Sequence, residues 1–333
     1  MLFSAFATIL LFVANIFFGS VEIPFADVFE ILIGGEPQRE SWRMILLQSR
    51  LPQAVVALFC GMSLSAAGLM LQTLFNNPLA GPEVFGINSG AGLGVAVVML
   101  LLQGTFAAGG MSIGGYMALL SGAFLGAVLT IGIILLFSTL LRGNIFLLIA
   151  GMSLSYLTSS VISLLNYFST AEGVHSYLIW GMGNFGGVSL QQLPLFASLA
   201  SVSLLLSLMM MKPLNALLLG NSYAANLGVR TKRVRALLLL LTGFLTAVVT
   251  AYCGPISFVG LAVPHVARLL LRTGNHRVLL PTTIILGGAT TLLCNIICQL
   301  PGESGLVPLG AVTPLLGAPV ILYVVLKNKG LNS

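Results

Sequence analysis

The chain has 333 residues, of which 57% are hydrophobic and 7% are charged, and its formal net charge is +6. Soluble domains carry about 25% charged residues, so this composition excludes a soluble globular protein and indicates an all-α, polytopic membrane protein. Because the basic residues lie in a few loops between apolar runs, the positive charge does not indicate nucleic-acid binding.

The apolar runs predict about ten membrane-spanning helices, since one span needs about 20 residues and the loops between the runs are short. We expect them to form a single transmembrane domain over residues 1–333, because no segment resembles a separate soluble domain. The first run lacks the basic residues of a secretory signal, so we expect it to be retained. The predicted spans are residues 1–19, 51–75, 85–102, 116–141, 145–167, 192–211, 236–253, 256–271, 279–299 and 306–326.

A break in the apolar pattern follows the second predicted span. It reads Asn76-Asn77-Pro78-Leu79-Ala80-Gly81-Pro82-Glu83. Two prolines four residues apart exclude a continuous helix, because each lacks an amide donor and restricts the residue before it. Irregular backbone at membrane depth must be buried in protein or line a cavity, and otherwise it lies at a membrane boundary. The break is therefore a candidate moving part.

Charged residues divide the predicted loops into an acidic set and a basic set that alternate along the chain. The positive-inside rule places the basic loops, and with them both termini, in the cytoplasm. The acidic loops are then external, and their basic residues are Arg39, Arg43 and Arg50. This clean division supports the count of ten spans.

No Asp or Glu falls within a predicted span. Ion-coupled secondary transporters need intramembrane ionisable groups, so this absence disfavours that alternative. The phosphate-loop pattern G-x-x-x-x-G-K-[ST] is also absent from the sequence, so any ATP hydrolysis would need a separate chain. A polytopic membrane enzyme is the other alternative, but the three histidines, His175, His265 and His276, are scattered along the chain.

The eighth predicted span is short and contains Pro264, His265 and Arg268. A lone membrane histidine is compatible with a metal or heme ligand, but the nearby Arg268 favours a structural hydrogen bond. Cys294 and Cys298 lie one helical turn apart and are compatible with half a metal site, although small buried residues are the favoured interpretation. We therefore predict no metal site and no cofactor.

The basic loop at about 212–235, called here the coupling segment, contains a short predicted helix over 221–227. Asn221 or Ser222 is expected to cap its start, and Gly228 is expected to end it. A surface helix followed by basic residues suits docking to a cytoplasmic partner. A solvated positive-inside loop explains the same pattern, so both interpretations stay open.

The chain resembles the permease subunits of bacterial ATP-binding-cassette (ABC) importers for iron–siderophore complexes, heme and vitamin B12, the FecCD-type permeases. The similarity covers essentially the whole chain. The motifs that carry it are Arg50-Leu51-Pro52, Asn77-Pro78-Leu79-Ala80-x-Pro82, Gly86-x-x-Ser89-Gly90-Ala91, Leu219-Gly220 with Leu227-Gly228-Val229, Gly254-x-Ile256-x-Phe258-Val259-Gly260-Leu261-x-x-Pro264-His265, His276-Arg277-x-x-Leu280-Pro281, Pro308-Leu309-Gly310-x-Val312-Thr313 and Gly317-Ala318-Pro319.

The resemblance implies a multi-pass protein of the bacterial cytoplasmic membrane that works by alternating access and has no catalytic residues. Its expected partners are a second permease copy in a homodimer or a similar permease, two cytoplasmic ATP-binding subunits and an extracytoplasmic substrate-binding protein. The transport path would lie at the interface between the two permeases. A ferric siderophore is the first expected ligand, followed by heme and then cobalamin.

The resemblance also assigns roles to individual residues. It implies a cytoplasmic gate built from Asn77, Leu79, Asn144 and Ile145 and binding-protein docking through Arg50, with Arg43 as a nearby candidate. ATPase coupling would fall to Leu219, Gly220, Asn221, Ala224, Leu227 and Gly228. The chain departs from the family near the outer end of the ninth span, where Asn295 and Gln299 replace an Asp and an Arg.

Overall fold

The computed structural model describes residues 1–101, 113–141, 144–300 and 307–329, and within these ranges the chain is helical and contains no β-strand. The helices are α1 Leu2–Phe17, α2 Phe25–Leu32, α3 Glu40–Met44, α4 Leu51–Phe75, α5 Ile87–Ala96, α6 Ile113–Leu140, α7 Asn144–Phe168, α8 Ala171–Gly181, α9 Leu193–Met209, α10 Met211–Leu217, α11 Asn221–Asn226, α12 Thr231–Cys253, α13 Val259–Leu271, α14 His276–Gln299 and α15 Leu309–Lys329. Wider π-helical turns join α3 to α4 and extend α5.

The apolar helices coincide with the predicted spans, which confirms the all-α polytopic class. Among the described residues, five stretches are long and apolar enough to cross a membrane: Glu40–Phe75, Met117–Leu140, Ile145–Phe168, Thr231–Cys253 and His276–Gln299. The predicted span at 192–211 is instead α9 followed by α10 after a bend of 49°, and this pair would be a sixth. The other four predicted spans correspond to shorter apolar helices. The count of ten and the cytoplasmic termini stay predictions.

Helix α4 forms the centre of the domain, and glycines allow its neighbours to approach closely. A Cβ atom at Gly61 would lie 2.0 Å from the Gly287 carbonyl oxygen of α14. A Cβ atom at Gly68 would lie 1.7 Å from the Gly260 carbonyl oxygen of α13. Small residues permit such close helix contacts in membranes, where burying apolar surface gives little gain.

The connection between α12 and α13 is non-helical and lies level with the middle of α4. At its α12 end, the Cys60 and Cys253 Sγ atoms are 3.3 Å apart, and at its α13 end Gly260 packs on Gly68. Gly254 and Phe258 both have positive φ, +75° and +68°. The two helices therefore resemble one membrane-depth hairpin whose turn is buried in protein, the setting in which such a break is tolerated.

Neutral polar contacts attach α1 to α14. Thr8 donates to the Ile285 carbonyl at 3.1 Å, and Asn15 donates to the Leu292 carbonyl at 3.0 Å. Asn295 in turn donates to the Asn15 side-chain oxygen at 2.7 Å. Asn295, which departs from the family pattern, thus forms part of a buried amide pair that needs no compensating charge.

Candidate functional site

The proline break forms a tight turn at the end of α4, called here the gate turn (residues 76–81). Asn76 ends the helix in the left-handed conformation with φ +47°, and the Asn77 amide donates to the Gln72 carbonyl at 3.1 Å. The Asn77 side-chain oxygen accepts a hydrogen bond from the Leu79 amide at 2.9 Å. Asn77 therefore shapes the turn itself, and Leu79 is left 48% exposed at its tip.

After the gate turn, the chain turns back towards the interior. The 3-10 helix Pro82–Phe85 places the buried Phe85 ring 4.7 Å from the Phe75 ring, measured between centroids. The Glu83 carboxylate accepts a hydrogen bond from the Phe258 amide at 2.6 Å, just before α13 begins. Since Gly68 lies at that level and precedes Asn76 by just over two turns, Glu83 is about 12 Å inside the end of α4.

The position of Glu83 bears on the absence of acidic residues from the predicted spans. Glu83 lies outside every predicted span, at the end of the break between the second and the third. The structure brings its carboxylate to the depth of the α12–α13 break. The predicted spans therefore contain no acidic residue, but the interior of the domain does contain one, Glu83. Because this carboxylate binds a backbone amide at a helix start, its position is that of a structural cap.

The second predicted gate segment lies at the start of α7. Asn144 is the first residue of α7, but its side chain lies outside the described part of the structure, while Ile145 is 71% exposed. Nearly two turns after the start of α7, a Cβ atom at Gly151 would lie 2.9 Å from the Val84 carbonyl oxygen. The structure thus brings α7 against the 3-10 helix that follows the gate turn. Leu79 and Ile145 remain available to contacts outside this chain.

Hydrogen bonds from α13 hold the gate turn and the end of α4 in place. The His265 Nε2 lies 2.9 Å from the Pro78 carbonyl oxygen and so donates to it. Arg268 donates to the side-chain oxygen of Gln72, and the Gln72 amide donates to the Leu261 carbonyl at 3.1 Å. The structural interpretation of His265 is supported, although its partner is Pro78 rather than Arg268. Within the described residues, no three His, Cys, Asp or Glu side chains are grouped as a metal site.

The coupling segment consists of α10, α11 and the start of α12. The start of α11 differs from the prediction, because Gly220 with φ +95° occupies the N-cap position and no side chain caps it. The predicted end is confirmed, since Gly228 has φ +83°. Two amides close this end: Val229 donates to Ala224 at 3.0 Å and Gly228 donates to Ala225 at 2.9 Å. The segment is a defined structure rather than an irregular loop.

An apolar surface covers one side of α11. Leu219, Tyr223 and Leu227 recur every four residues and are each more than half exposed. Ala224 is fully buried, so it anchors α11 to the domain rather than presenting a surface. The sequence interpretation missed Tyr223, although its spacing from Leu219 and Leu227 was a sufficient signal. Gly220, Asn221 and Gly228 are exposed beside this surface.

The sequence profile of the FecCD transport family matches residues 7–327 of the chain. The chain belongs to the FecCD transport family. It is 36% identical to the vitamin B12 import system permease protein BtuC of Klebsiella pneumoniae over 296 residues, 89% of this chain and 86% of the relative. It is 37% identical to BtuC of Salmonella arizonae over 286 residues, 86% of this chain and 84% of the relative.

Solved structures agree with this family assignment. An inward-facing structure of a metal-chelate type ABC transporter superposes with a TM-score of 0.82 at 30% identity, covering 97% of this chain and 98% of the other. PsaBC from Streptococcus pneumoniae has a TM-score of 0.52 at 17% identity over 82% and 90%, which shows a shared fold. This FecCD protein is the permease subunit of an ABC importer, a transport component of the cytoplasmic membrane.

In this FecCD permease, the two arginines that the resemblance assigns to binding-protein docking differ in placement. Arg50 is only 4% exposed, and its guanidinium donates to the Ile16 carbonyl at 3.0 Å, the Phe17 carbonyl at 2.9 Å and the Val21 carbonyl. Arg50 thereby satisfies the free carbonyls at the end of α1. Arg43 donates to the Gly35 carbonyl at 2.7 Å and lies 3.8 Å from Glu40 at the surface. Arg43 is thus the more accessible of the two.

Proposed function

We propose that the protein imports a metal chelate, with vitamin B12 first among the candidates, by alternating access at the interface of a permease dimer. The observation that carries the ligand class is the 36% identity to vitamin B12 permeases over most of the chain. The metal-chelate transporter structure at 30% identity supports the wider class, to which ferric siderophores and heme also belong. Cobalamin therefore becomes the first candidate ligand, ahead of the ferric siderophore, which is favoured when only the range of ligands in the family is considered.

The exposed side of α7 supplies a surface suited to such a path. Ser153, Ser159, Ser160 and Ser163 are exposed along it, and the Ser160 and Ser163 hydroxyls donate to carbonyls one turn back in α7. Hydroxyls that are already satisfied by their own helix bind a polar ligand weakly. A transport path needs such weak binding, because the ligand must leave as readily as it enters. Leu79 and Ile145 would close its cytoplasmic end.

Energy would come from two ATP-binding subunits that dock on the coupling segment. The apolar surface of Leu219, Tyr223 and Leu227 is exposed on a segment flanked by basic residues, where lipid does not account for it. Asn221 and the two glycines, Gly220 and Gly228, would frame this contact. Docking would rest on shape and apolar contact, since α11 itself carries no charged residue.

A substrate-binding protein would dock on the outer surface that follows α2. Arg43 would pair with acidic residues of that protein directly. Arg50 would contribute indirectly, because its burial fixes the turn between α1 and α2 rather than exposing its charge. The test is an Arg43→Glu variant, whose binding protein should dissociate faster. Glu36→Lys at a nearby loop position changes the charge by the same amount with the opposite sign and should not speed dissociation.

The decisive experiment is transport in proteoliposomes that contain the permease, its ATPase and its binding protein. We expect uptake of radiolabelled cyanocobalamin that requires ATP inside the vesicles, with ferric siderophore and heme as competing ligands. Uptake of a competing ligand alone would reassign the ligand within the class. Uptake driven by an ion gradient without the ATPase would overturn the proposed function.

A further inference from the structure

His276 connects the coupling segment to the end of α4 through hydrogen bonds. On one side, its backbone amide donates to the Asn215 side-chain oxygen at 2.8 Å, and its Nδ1 lies 3.0 Å from the same oxygen. Asn215 belongs to α10, the helix that leads into α11. On the other side, its Nε2 lies 2.8 Å from the Thr73 hydroxyl in the last turn of α4. His276 itself is fully buried.

The orientation of Asn215 determines where the imidazole proton lies. The Asn215 amide nitrogen donates to the Asn275 side-chain oxygen at 2.9 Å, so its own oxygen faces His276 as an acceptor. Nδ1 must then carry the proton, and Nε2 accepts from the Thr73 hydroxyl. That hydroxyl also lies 3.0 Å from the Leu69 carbonyl and has a single proton to donate. The link from α4 to His276 can therefore exchange for a bond within α4.

Thr73 lies where a small movement reaches the gate turn. It is three residues before Asn76, whose left-handed conformation begins the turn, and it follows Gln72, which Arg268 and Leu261 of α13 hold. His265 of the same helix holds Pro78. Helix α13 thus holds the gate turn through Pro78 and the end of α4 through Gln72. The end of α4 is linked to the coupling segment through the Thr73 hydroxyl and the His276 imidazole.

We propose that His276 is a positioning residue that transmits movement of the coupling segment to the gate turn by linking Asn215 to Thr73. This inference rests on the proposed function, since it requires an ATPase docked on α11. ATP binding that displaces α10 changes the Asn215–His276 contact, and the Thr73 hydroxyl then returns to Leu69. The end of α4 loses its hydrogen bond to α14 at the same step, which lets Leu79 move.

The test uses an isosteric pair of threonine variants. Thr73→Val removes the hydroxyl that faces His276 and keeps the shape of the side chain. Thr246→Val is the matched control, because Thr246 is fully buried and its hydroxyl donates to the Thr242 carbonyl of its own helix at 2.8 Å. Both variants lose one buried hydroxyl, and Thr73→Val loses in addition the hydrogen bond between Thr73 of α4 and His276 of α14.

The readout is the thiol-labelling rate of a Leu79→Cys reporter in the permease–ATPase complex in nanodiscs, with and without ATP and vanadate. The four native cysteines are buried, and the chain without the reporter supplies the background rate. We expect Thr73→Val to reduce the nucleotide-dependent change in labelling about tenfold while ATP hydrolysis stays within about twofold. Thr246→Val should keep the full change.

A second variant tests the other end of the link. Asn215→Leu should reduce the nucleotide response as Thr73→Val does, and the double variant should lose no more than either single variant. A full response in Thr73→Val, or an equal loss in Thr246→Val, would overturn the role of His276. If the unsubstituted reporter chain fails to assemble with its ATPase or shows no nucleotide response, the proposed function itself fails.

Discussion

The Glu83 carboxylate accepts a hydrogen bond of 2.6 Å from the Phe258 amide, although the helices α5 to α12 separate the two residues in the sequence. Phe258 has φ +68°, a conformation that non-glycine residues rarely adopt, and it directly precedes α13. A carboxylate at this position satisfies an amide that the helix cannot satisfy and meets the positive end of its dipole. The chain that follows the gate turn is thereby fixed to the start of α13.

Replacing Glu83 with alanine should destabilise the protein by about 1–3 kcal/mol, because the buried Phe258 amide loses its acceptor. Glu83→Gln keeps a carbonyl oxygen as acceptor and should therefore destabilise the protein less than Glu83→Ala does. The midpoint of thermal unfolding in detergent measures both effects. A Glu83→Ala protein as stable as the unsubstituted protein would show that the carboxylate does not hold α13.

Replacing Arg50 with alanine should free the end of α1, because three carbonyls lose a charged donor at once. We expect the free energy of unfolding to fall by about 3 kcal/mol and amide hydrogen exchange to become faster in the last turn of α1. Arg43→Ala is the control, since its surface contacts should leave exchange in α1 unchanged. Equal exchange in the two variants would contradict the assigned role of Arg50.

Replacing Tyr223 with alanine should weaken the permease–ATPase complex about tenfold, because exposed aromatic residues dominate the energy of docking surfaces. The affinity of the purified ATPase for permease in nanodiscs measures the effect. Ser222→Ala, one residue away on α11 and also exposed, is the matched control. If Tyr223→Ala binds the ATPase with unchanged affinity, the docking surface lies elsewhere on the coupling segment.

Replacing Gly68 with alanine should prevent correct folding or lower the free energy of unfolding by more than about 3 kcal/mol. The reason is that the new methyl group would overlap the Gly260 carbonyl oxygen. Gly132→Ala in α6 provides the control, since a Cβ atom there meets no described atom within 4 Å. The yield of monodisperse protein and its thermal midpoint compare the two variants. Similar behaviour of both would refute close α4–α13 packing.

Local sequence features predicted the elements well. Hydropathy marks the apolar helices because a membrane demands long apolar runs, and the paired prolines at 78 and 82 mark the gate turn because neither fits a helix. Gly228 likewise predicted the end of α11. The same local reasoning failed at the start of α11, where Gly220 displaces the expected caps. The resemblance assigned Ala224 to ATPase coupling, but its burial depends on contacts with other helices, which the sequence does not show.

The contacts that organise the site were beyond prediction for a physical reason. Glu83 and Phe258, and likewise His276 and Thr73, are distant in sequence, and one chain gives no signal of which distant groups meet. Arg50 was assigned to an outer docking surface on the family resemblance, which does not show whether its charge faces water. It is buried here because the unpaired carbonyls at the end of α1 offer an equivalent set of acceptors.

The break between α12 and α13 has a mechanical consequence for the domain. A continuous helix transmits displacement along its whole length as a rigid rod, whereas the non-helical residues between Cys253 and Val259 can rotate without breaking a helical ladder. Helix α13 can then change its angle to α12 without bending either helix. The gate turn, which His265 holds to α13, would move with α13 rather than with α12.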